Sequence, residues 1–482
     1  MRQPVAIIGA GPSGIVAAKF LRDQGFAPTI YESHSAPGGQ WRTDNPNSGI
    51  WPGMVTNTFL EATRFSDLPY PDGTPIFPHN TQVLDYMTGY ADRFGALQDA
   101  RFNWKLVQLE QAGEGYRLSF ETPDGPQVVS APRVVVATGR YNLPWTPPIA
   151  GLERFTGRGG VVHSFDYKDP DAFRGQHVVV AGSSISALEI ASDLAMLGAA
   201  SVRLTQRRQR YVMPKMVRGV PLEYHVFTYA AAQRTLDGDP AENLRLNEAR
   251  AKRLAGDPSR YGTPPPNPDF AKAGSAGSPH YLNLVAEGRV RPVPWIADID
   301  GTRITFEGGE RASCDALILC TGFRLNLPFL SEPIRRTLNV TPGGLEQHAF
   351  TLHPDLPGLA ILGMWSQMGS YPTVLELQAR YLSYVWGGVL EADAQAQRAG
   401  VAACVAEGYH RDYRSQNEMA LRFARLCGAD PAGQVPADLM ALVAQSATTA
   451  TLYRMVGPQP LPGAETQLRQ MFDRFGPNLG AE

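Results

Sequence analysis

A glycine-rich turn near the start of the chain limits the possible folds most strongly. Residues 5–8 (VAII) form a short apolar run that is typical of a buried parallel strand. The run leads into Gly9-x-Gly11-x-x-Gly14 and then into an alanine-rich segment with helical character. The first glycine permits a tight turn, the second lets the backbone approach a pyrophosphate, and the third lets helix and strand pack closely. The stretch predicts a dinucleotide-binding βαβ unit, with an ordinary glycine-rich turn as the alternative.

An acidic residue stands where such a unit contacts the ribose. A second apolar strand at residues 29–31 (TIY) ends in Glu32, which follows Gly9 by 23 residues. A carboxylate at this position accepts hydrogen bonds from a ribose diol. The positive end of the helix that follows the turn, which contains Pro12 and Ser13, favours the phosphates. The first unit is therefore predicted to bind a dinucleotide whose ribose diol is free.

A second unit of the same kind begins near residue 177. Residues 177–181 (HVVVA) are typical of a buried strand, and a helical segment follows through Leu197. The turn between them carries Ser184 and Ala187 at the places of the second and third glycines. Small side chains there still let the backbone approach a phosphate. The predicted phosphate contacts of this turn are Gly182, Ser183, Ser184 and Ser186.

The second unit lacks the acid. The strand after its helix ends at Thr205, the position equivalent to Glu32, and the chain continues with Arg207 and Arg208, with Lys215 nearby. Arginines bind the 2′-phosphate of NADPH, which a carboxylate would repel. The second unit is therefore predicted to bind NADPH, with a solvated basic loop as the alternative.

Two further buried strands indicate how the units are connected. Residues 134–139 (VVVATG) and 315–323 (DALILCTGF) each place an apolar run before Thr-Gly. A chain that leaves and re-enters one sheet would show two such crossings. We therefore predict an α/β fold with two Rossmann-like dinucleotide-binding domains, the second inserted into the first. The predicted boundaries are 1–155 for the first part of the first domain, 156–312 for the second domain with a variable insertion at about 216–310, and 313–482 for the remainder with C-terminal helices.

Composition excludes several classes of partner. The 482 residues carry a formal net charge of −2 without a block of Lys or Arg, so nucleic acid and anionic membranes are not indicated. The four cysteines form no C-x-x-C or metal pattern, and no apolar run reaches the ~18 residues of a membrane span. The first strand begins by residue 4, which leaves no room for a signal peptide. We expect a cytoplasmic enzyme without a metal.

In combination, several short motifs resemble the flavin-containing monooxygenases, the FAD- and NADPH-dependent class that is related to the Baeyer–Villiger enzymes. The resemblance covers about residues 1–215 and 310–460. Each motif is weak alone, whereas their order and spacing are specific. The motifs are GAGPSG (9–14) with Glu32, GGQW (38–41), TNT (56–58), FSDLPYP (65–71), ATG (137–139), the turn at 182–187, DALILCTGF (315–323) and Pro372 with ELQAR (376–380).

The resemblance implies FAD in the first unit, NADPH in the second, and oxygenation of a soft heteroatom, an amine nitrogen or a sulfide, through a flavin hydroperoxide. Asn57 resembles the family asparagine beside the peroxide and is the predicted catalytic residue. Its amide can donate a hydrogen bond without being acidic enough to release hydrogen peroxide. The residues implied to lie near FAD, in addition to the glycine turn, are Gly39, Gln40, Trp41, Thr56, Asn57, Thr58 and Gln367.

One family fingerprint departs from its usual spacing. Phe155-x-Gly157 is followed by five residues before His163, where the family has three. When the family resemblance is set aside, His163 is interpreted as a structural rather than a catalytic residue. Baeyer–Villiger members usually end this fingerprint in Trp followed by Pro or Asp. Tyr167-Lys168 therefore favours the heteroatom-oxidising branch.

Several alternatives stay open at this point. Ketone oxidation shares the chemistry that precedes substrate attack, and a sensor that binds both nucleotides without turnover would also fit. A disulfide reductase needs a cysteine pair beside the flavin, and the spacing of Cys314 and Cys320 is wrong for that. The expected partners are a small-molecule substrate and dioxygen, with a homodimer left open. Loop 42–80 and the middle segment 216–310 are expected to shape the substrate pocket.

Overall fold

Two parallel sheets organise the chain in a computed structural model that describes residues 2–391, 393–408 and 413–477. The strands are β1 Pro4–Ile8, β2 Ala27–Glu32, β3 Arg101–Phe102, β4 Lys105–Ala112, β5 Gly115–Glu121, β6 Gln127–Ala131, β7 Val134–Val136, β8 Leu143–Pro144, β9 Gly160–His163, β10 His177–Ala181, β11 Ser201–Thr205, β12 Tyr211–Met213, β13 Met216–Val217, β14 Val220–Pro221, β15 Ser275–Gly277, β16 Val290–Val293, β17 Ile296–Asp300, β18 Arg303–Phe306, β19 Arg311–Ser313, β20 Ala316–Leu319, β21 Phe323–Arg324, β22 Leu359–Ile361, β23 Gln367–Met368 and β24 Arg414–Ser415. The helices are α1 Pro12–Asp23, α2 Asn80–Arg93, α3 Ile185–Leu197, α4 Glu223–Val226, α5 Tyr229–Asp237, α6 Pro240–Ala255, α7 Phe270–Ala273, α8 Tyr281–Ala286, α9 Glu332–Thr337, α10 Pro372–Trp386, α11 Ala394–Glu407, α12 Gln416–Leu426, α13 Ala437–Gln445 and α14 Ala464–Phe475.

Each sheet has one glycine turn at its centre. The first sheet has the order β22-β7-β1-β2-β3 and the second the order β16-β11-β10-β20-β9, with parallel pairing throughout. The central strands β1 and β10 are apolar and buried after their first residue, as strands covered on both faces require. The predicted α/β fold with two Rossmann-like domains is confirmed.

Strand order also shows the insertion. The chain builds β1 to β3 and β7 of the first sheet, then all five strands of the second, and returns to the first sheet with β22. At the two crossings, β8 and β21 pair antiparallel, with Phe323 opposite Pro144. The second domain is therefore an insertion joined to the first by a two-stranded ribbon.

The predicted boundary at residues 312/313 is wrong by one strand. It assigned residues 315–323 to the first domain, whereas β20 pairs with β10 and β9 in the second sheet. An apolar strand that ends in Thr-Gly has the same sequence pattern in either sheet, so the pattern did not identify its partners. We propose instead that the second domain extends to residue 320 and that the ribbon marks the division.

Part of the middle segment packs on the first domain. We call residues 222–237 the strap, which comprises α4 and α5. Tyr224 and Tyr229 of the strap are buried in the same core as Met471 and Phe472. Thr448 N donates to Phe227 O at 2.9 Å, which ties the strap to the segment after α13. The segment 216–310, predicted to belong wholly to the second domain, is thus shared between the two domains.

The C-terminal helices complete the first domain. Helix α10 is buried along most of its length in the same core as α1, and α12, α13 and α14 contribute to that core. Residues 478–482 of the predicted C-terminal part lie outside the described residues. Within the described ranges, no helix combines the length and the apolar character needed to cross a bilayer. The predicted cytoplasmic location stays a prediction.

Candidate functional site

The first glycine turn has room for backbone only. Gly9 has φ +109°, and a Cβ there would lie 2.6 Å from the carbonyl oxygen of Ala137. A Cβ at Gly14 would lie 1.9 Å from the carbonyl oxygen of Gly9, which fixes the close approach of α1 to β1. Gly11 caps the helix, and Pro12 occupies its first turn. The N–H groups of Ser13 and Gly14 in this first turn have no partner inside the helix and are available to an anionic ligand.

Glu32 is held beside the turn by the backbone. Its side chain is buried, and Oε2 accepts a hydrogen bond from Ala10 N at 2.7 Å while Oε1 accepts from His34 N at 2.8 Å. Ser33 Oγ also donates to Oε1, at 3.1 Å. A carboxylate has about four acceptor positions, so these three bonds leave one open. Glu32 can therefore still accept a hydrogen bond from a ligand hydroxyl, and its role at the ribose stays a prediction.

The loop at residues 38–41 closes over the turn. Gly38 N donates to Ala10 O at 2.9 Å, and a Cβ at Gly39 would lie 2.8 Å from the Cα of Gly11. Residues 39–41 form a single 3₁₀ turn in which Gln40 Nε2 donates to Tyr141 O at 3.4 Å. The half-buried Trp41 packs against the first-domain core. The two glycine loops form a cradle that side chains would fill, and its donors and Glu32 fit the phosphates and ribose of FAD.

Asn57 lies in a segment fixed by backbone contacts. Thr56 N donates to Pro78 O at 2.9 Å, and Thr56 Oγ1 donates to Thr58 O at 2.9 Å. Among the residues that the structure describes, the Asn57 Oδ1 is buried without a hydrogen-bond partner. Such an atom is open to a hydrogen bond from a ligand or a water molecule.

Two charged side chains from the middle of the chain contact this segment on either side of Asn57. Lys215 Nζ donates to Thr56 O at 3.1 Å, and Glu223 Oε1 accepts from Phe59 N at 2.9 Å. Burial raises the pKa of Glu223 to about 7 and lowers the pKa of Lys215. Sequence reasoning noted Lys215 only as part of the basic cluster and missed Glu223, because a single acid in an unreadable segment carries no signal.

Gln367 is engaged within its own segment. Its Oε1 accepts from Trp365 Nε1 at 2.9 Å, and its Nε2 donates to Ser370 O at 2.5 Å. The next link is aromatic, since Tyr371 Oη donates to Trp365 O at 2.9 Å and lies 3.1 Å from Tyr141 Oη. The sequence did not single out either tyrosine.

The second glycine turn repeats the first, with Ser184 and Ala187 at the places of the second and third glycines. Gly182 has φ +152°, and a Cβ there would lie 2.6 Å from the carbonyl oxygen of Cys320 and 3.1 Å from the Cβ of Ala187. Ser184 caps α3 with its side chain exposed, and Ser183 and Ser186 are partly exposed. These hydroxyls are accessible to a ligand, their predicted phosphate contacts stay a prediction, and the alanine methyl fills the place of the third glycine.

The two predicted arginines follow the end of β11. Arg207 lies over the ring of Trp295 with its guanidinium carbon 5.0 Å from the ring centroid, and Arg208 Nη1 donates to Lys272 O at 3.2 Å. Both side chains are exposed, and neither an aromatic face nor a carbonyl neutralises a positive charge. Their charge remains accessible to an anionic ligand at this end of the sheet.

A cavity of about 450 Å³ lies between α3 and residues 51–55. Glu189, Asp193 and Lys215 line it, and Trp51 Nε1 donates to Asp193 Oδ2 at 3.1 Å. Burial raises the pKa of Glu189 to about 7 and also raises the pKa of Asp193. The cavity extends to Val55, so it reaches the segment that carries Asn57.

His163 has a structural environment. Its Nδ1 accepts from Phe165 N at 3.1 Å, and its ring meets Phe323 edge to face at 5.4 Å between centroids. Burial lowers the pKa of His163 and favours the neutral ring. The glycines before it pack tightly, since a Cβ at Gly157 would lie 2.4 Å from Asp315 O. The altered fingerprint therefore forms the edge strand β9 beside the domain crossing.

The chain is similar to known proteins over most of its length. A model of the flavin-binding monooxygenase-like family matches residues 2–399. Flavin-containing monooxygenase 5 of Oryctolagus cuniculus is 28% identical over 412 residues, which cover 82% of this chain and 75% of the relative.

Two solved structures share the fold. S-allyl-L-cysteine S-oxygenase from Allium sativum has a TM-score of 0.68 and 22% identity, covering 98% of this chain and 99% of its own. A mutant of cyclohexanone monooxygenase from Rhodococcus sp. Phi1, bound to NADP⁺, has a TM-score of 0.67 and 17% identity, covering 89% and 97%. The match over most of the chain confirms the resemblance found in the sequence: the chain belongs to the flavin-binding monooxygenase-like family and is a flavin-dependent monooxygenase.

Proposed function

We propose that this protein uses NADPH and dioxygen to oxygenate a soft heteroatom, an amine nitrogen or a sulfide sulfur, of a small molecule. The observation that carries the proposal is the opposite chemistry of the two nucleotide units. The first presents the buried carboxylate of Glu32 to a ribose diol, and the second presents the exposed cations of Arg207 and Arg208. One chain thus offers one site for FAD and a different one for NADPH.

The first cradle would hold FAD by its backbone. Gly9, Gly11 and Gly14 bring N–H groups and the positive end of α1 to the pyrophosphate, and Glu32 accepts the ribose hydroxyls. Gln40 and Trp41 lie in the loop that closes over this cradle. Bound FAD supplies the redox chemistry with dioxygen, and the residues of the chain orient it and exclude water.

NADPH would bind at the second turn, with Ser183, Ser184 and Ser186 at its phosphates and the two arginines at its 2′-phosphate. Support comes from the NADP⁺ bound to the cyclohexanone monooxygenase that shares this fold. A guanidinium bound to a phosphate forms a charge-assisted hydrogen bond, which is stronger than a neutral one. The exposed guanidinium groups of Arg207 and Arg208 therefore favour NADPH over NADH.

Asn57 would act as the hydrogen-bond donor at the reacting oxygen. Its amide carries two N–H donors and has no acidic proton at neutral pH. It can therefore hold a developing negative charge on oxygen in place without supplying the proton that would release hydrogen peroxide. The buried Oδ1 without a described partner supports a ligand beside this side chain.

The substitution Asn57→Ala tests this role. The variant should retain FAD, because Asn57 contacts neither glycine turn, and should consume NADPH while releasing hydrogen peroxide in place of oxygenated product. The measurement is the ratio of product to NADPH consumed. Asn47→Ala, an exposed asparagine in the same loop, is the matched control. Full product formation by Asn57→Ala would remove this residue from the mechanism.

The substrate class has two candidates. S-oxygenation by the Allium sativum protein and Tyr167-Lys168 at the end of the fingerprint favour a heteroatom. The cyclohexanone monooxygenase neighbour keeps ketone oxidation as the second candidate. Mass spectrometry of products from a panel of amines, sulfides and ketones with NADPH decides between them. Lactone or ester products alone would reverse the assignment, and absence of NADPH-dependent dioxygen uptake would favour the nucleotide-binding sensor.

A further inference from the structure

We infer that Lys215 and Glu223 are positioning residues that hold Asn57 in place from both sides of its backbone. The inference rests on the proposed function, because it assigns these side chains a task through Asn57. Neither residue stands in a glycine turn, and Lys215 is only a sequence neighbour of the two arginines predicted at the 2′-phosphate.

Two hydrogen bonds hold the short backbone segment that contains Asn57, one on each side of it. Lys215 Nζ donates to the carbonyl oxygen of Thr56, one residue before Asn57, at 3.1 Å. Glu223 Oε1 accepts from the N–H of Phe59, two residues after Asn57, at 2.9 Å. The two peptide groups enclose Asn57, so fixing both restricts the backbone dihedrals that aim its amide.

Packing alone does not explain why a carboxyl group is buried at position 223. Its side chain is 1% exposed, and burial raises its pKa to about 7. Within the described part of the chain, its Oε2 has no hydrogen-bond partner. Burial of a carboxyl group without full pairing costs stability, and an apolar side chain would cost less. The contact that explains the carboxyl group is the one with Phe59 N.

The strap, which contains Glu223, packs on the core of the first domain. Glu223 begins α4, and the next residue, Tyr224, donates to Met471 O at 3.3 Å and is buried in the first-domain core. The ring of Phe59 meets Tyr224 edge to face at 5.7 Å and Phe475 at 5.6 Å. The strap therefore fixes one flank of the Asn57 segment against the C-terminal helix α14.

Lys215 anchors the other flank. It precedes β13, and it lines the cavity beside Glu189 and Asp193 of α3, whose charges both act on it. Helix α3 belongs to the unit predicted to bind NADPH. Lys215 thus connects the backbone next to Asn57 to that unit, while Glu223 connects it to the first domain.

The test uses the FAD-loaded enzyme with paired variants. Glu223→Leu and Lys215→Met remove the two contacts, whereas Glu223→Gln keeps a carbonyl acceptor and Lys215→Arg keeps a cationic donor. We expect the first pair to release about tenfold more hydrogen peroxide per product, as loss of a buried hydrogen bond suggests. The conservative pair should stay near wild type. FAD content and the KM for NADPH should change little in all four.

A matched control and a second readout separate positioning from general damage. Lys105 Nζ forms an exposed ion pair with Glu121 Oε2 at 3.1 Å, in a strand pair that carries no proposed site residue. Lys105→Met should therefore leave product coupling unchanged. Amide hydrogen exchange of the holoenzyme, read on the peptide that contains residues 56–60, should rise in Glu223→Leu and not in Glu223→Gln.

A double-mutant cycle decides between the inference and the proposed function. If Glu223 acts through Asn57, Glu223→Leu should add no further peroxide release in an Asn57→Ala background. If Asn57→Ala alone leaves coupling intact, the proposed function fails. The inference is overturned if Asn57→Ala lowers product coupling while Lys215→Met and Glu223→Leu do not. It is also overturned if Glu223→Gln and Glu223→Leu lower product coupling equally. Should Glu223→Leu not fold, the contrast of Lys215→Met with Lys215→Arg decides.

Discussion

The two glycine turns share one geometry at the first glycine and differ at the third. A Cβ at Gly9 or at Gly182 would lie 2.6 Å from a carbonyl oxygen of the neighbouring crossing, that of Ala137 or Cys320. At the third position, Gly14 touches the first strand directly, whereas Ala187 places a methyl group between strand and helix. The neighbouring backbone carbonyl therefore requires glycine at the first position of each turn. The residue at the third position determines how closely the helix approaches the strand.

The helices that follow the two turns have different surroundings. In α1 the residues that correspond to Glu189 and Asp193 of α3 are Val16 and Phe20, both fully buried. Helix α1 lies between its sheet and α10, whereas the corresponding face of α3 borders the 450 Å³ cavity.

The largest expected effect is at the third glycine of the first turn. In Gly14→Ala the new Cβ would meet the Gly9 carbonyl at 1.9 Å, so strand or helix must shift. Overpacking of this kind costs about 3 kcal/mol or more. We expect loss of bound FAD, measured as visible flavin absorbance of the purified protein. The matched change Ala187→Gly in the second turn should retain FAD. Equal flavin content in both variants would contradict the difference between the two turns.

A smaller effect is expected at the ends of the second strands. Arg207→Ala combined with Arg208→Ala should raise the KM for NADPH and change that for NADH little. Loss of one charge-assisted hydrogen bond, about 1.5–3 kcal/mol, corresponds to roughly tenfold to about 150-fold, and loss of two corresponds to more. Steady-state kinetics with both nucleotides measures this ratio.

The control for that ratio is Arg336→Ala, an exposed arginine of the first domain. It should leave both constants unchanged. An equal rise for NADPH and NADH in the double variant would mean that the basic loop is only solvated.

The smallest effect concerns the open face of α3. The pKa of Glu189 is raised from 4.5 to about 7 by burial, with Asp193 raising it further and Lys215 opposing the shift. The folded protein favours the protonated form, so this stabilising contribution is complete below pH ~4.5 and is lost as the pH rises through ~7. Glu189→Gln should remove about 2 kcal/mol of this pH dependence, after allowance for partial solvent screening.

The measurement for Glu189 is the Tm at pH 5 and at pH 8. Wild type should lose more stability between these values than Glu189→Gln. The exposed Glu114→Gln should behave as wild type. An identical pH profile for Glu189→Gln would show that the face of α3 is as well solvated as any surface helix.

Local sequence patterns predicted both nucleotide units correctly. The turn from Gly9 to Gly14, the carboxylate of Glu32 and the arginines after Thr205 depend on neighbours within one strand–turn–helix–strand unit. Glu32 contacts Ala10, 22 residues away, inside the same unit. The order of residues along the chain therefore determined two Rossmann-like domains, and it predicts the character of each ribose site.

Only the tertiary structure decided which sheet receives β20, where the strap packs and what holds the Asn57 segment. The contacts of Lys215 with Thr56 and of Glu223 with Phe59 join residues 159 and 164 positions apart. A buried apolar strand has the same pattern beside any partner, and one lysine or glutamate carries no periodicity. Such contacts arise when the two domains pack, and packing depends on the shape and burial of whole elements rather than on local order.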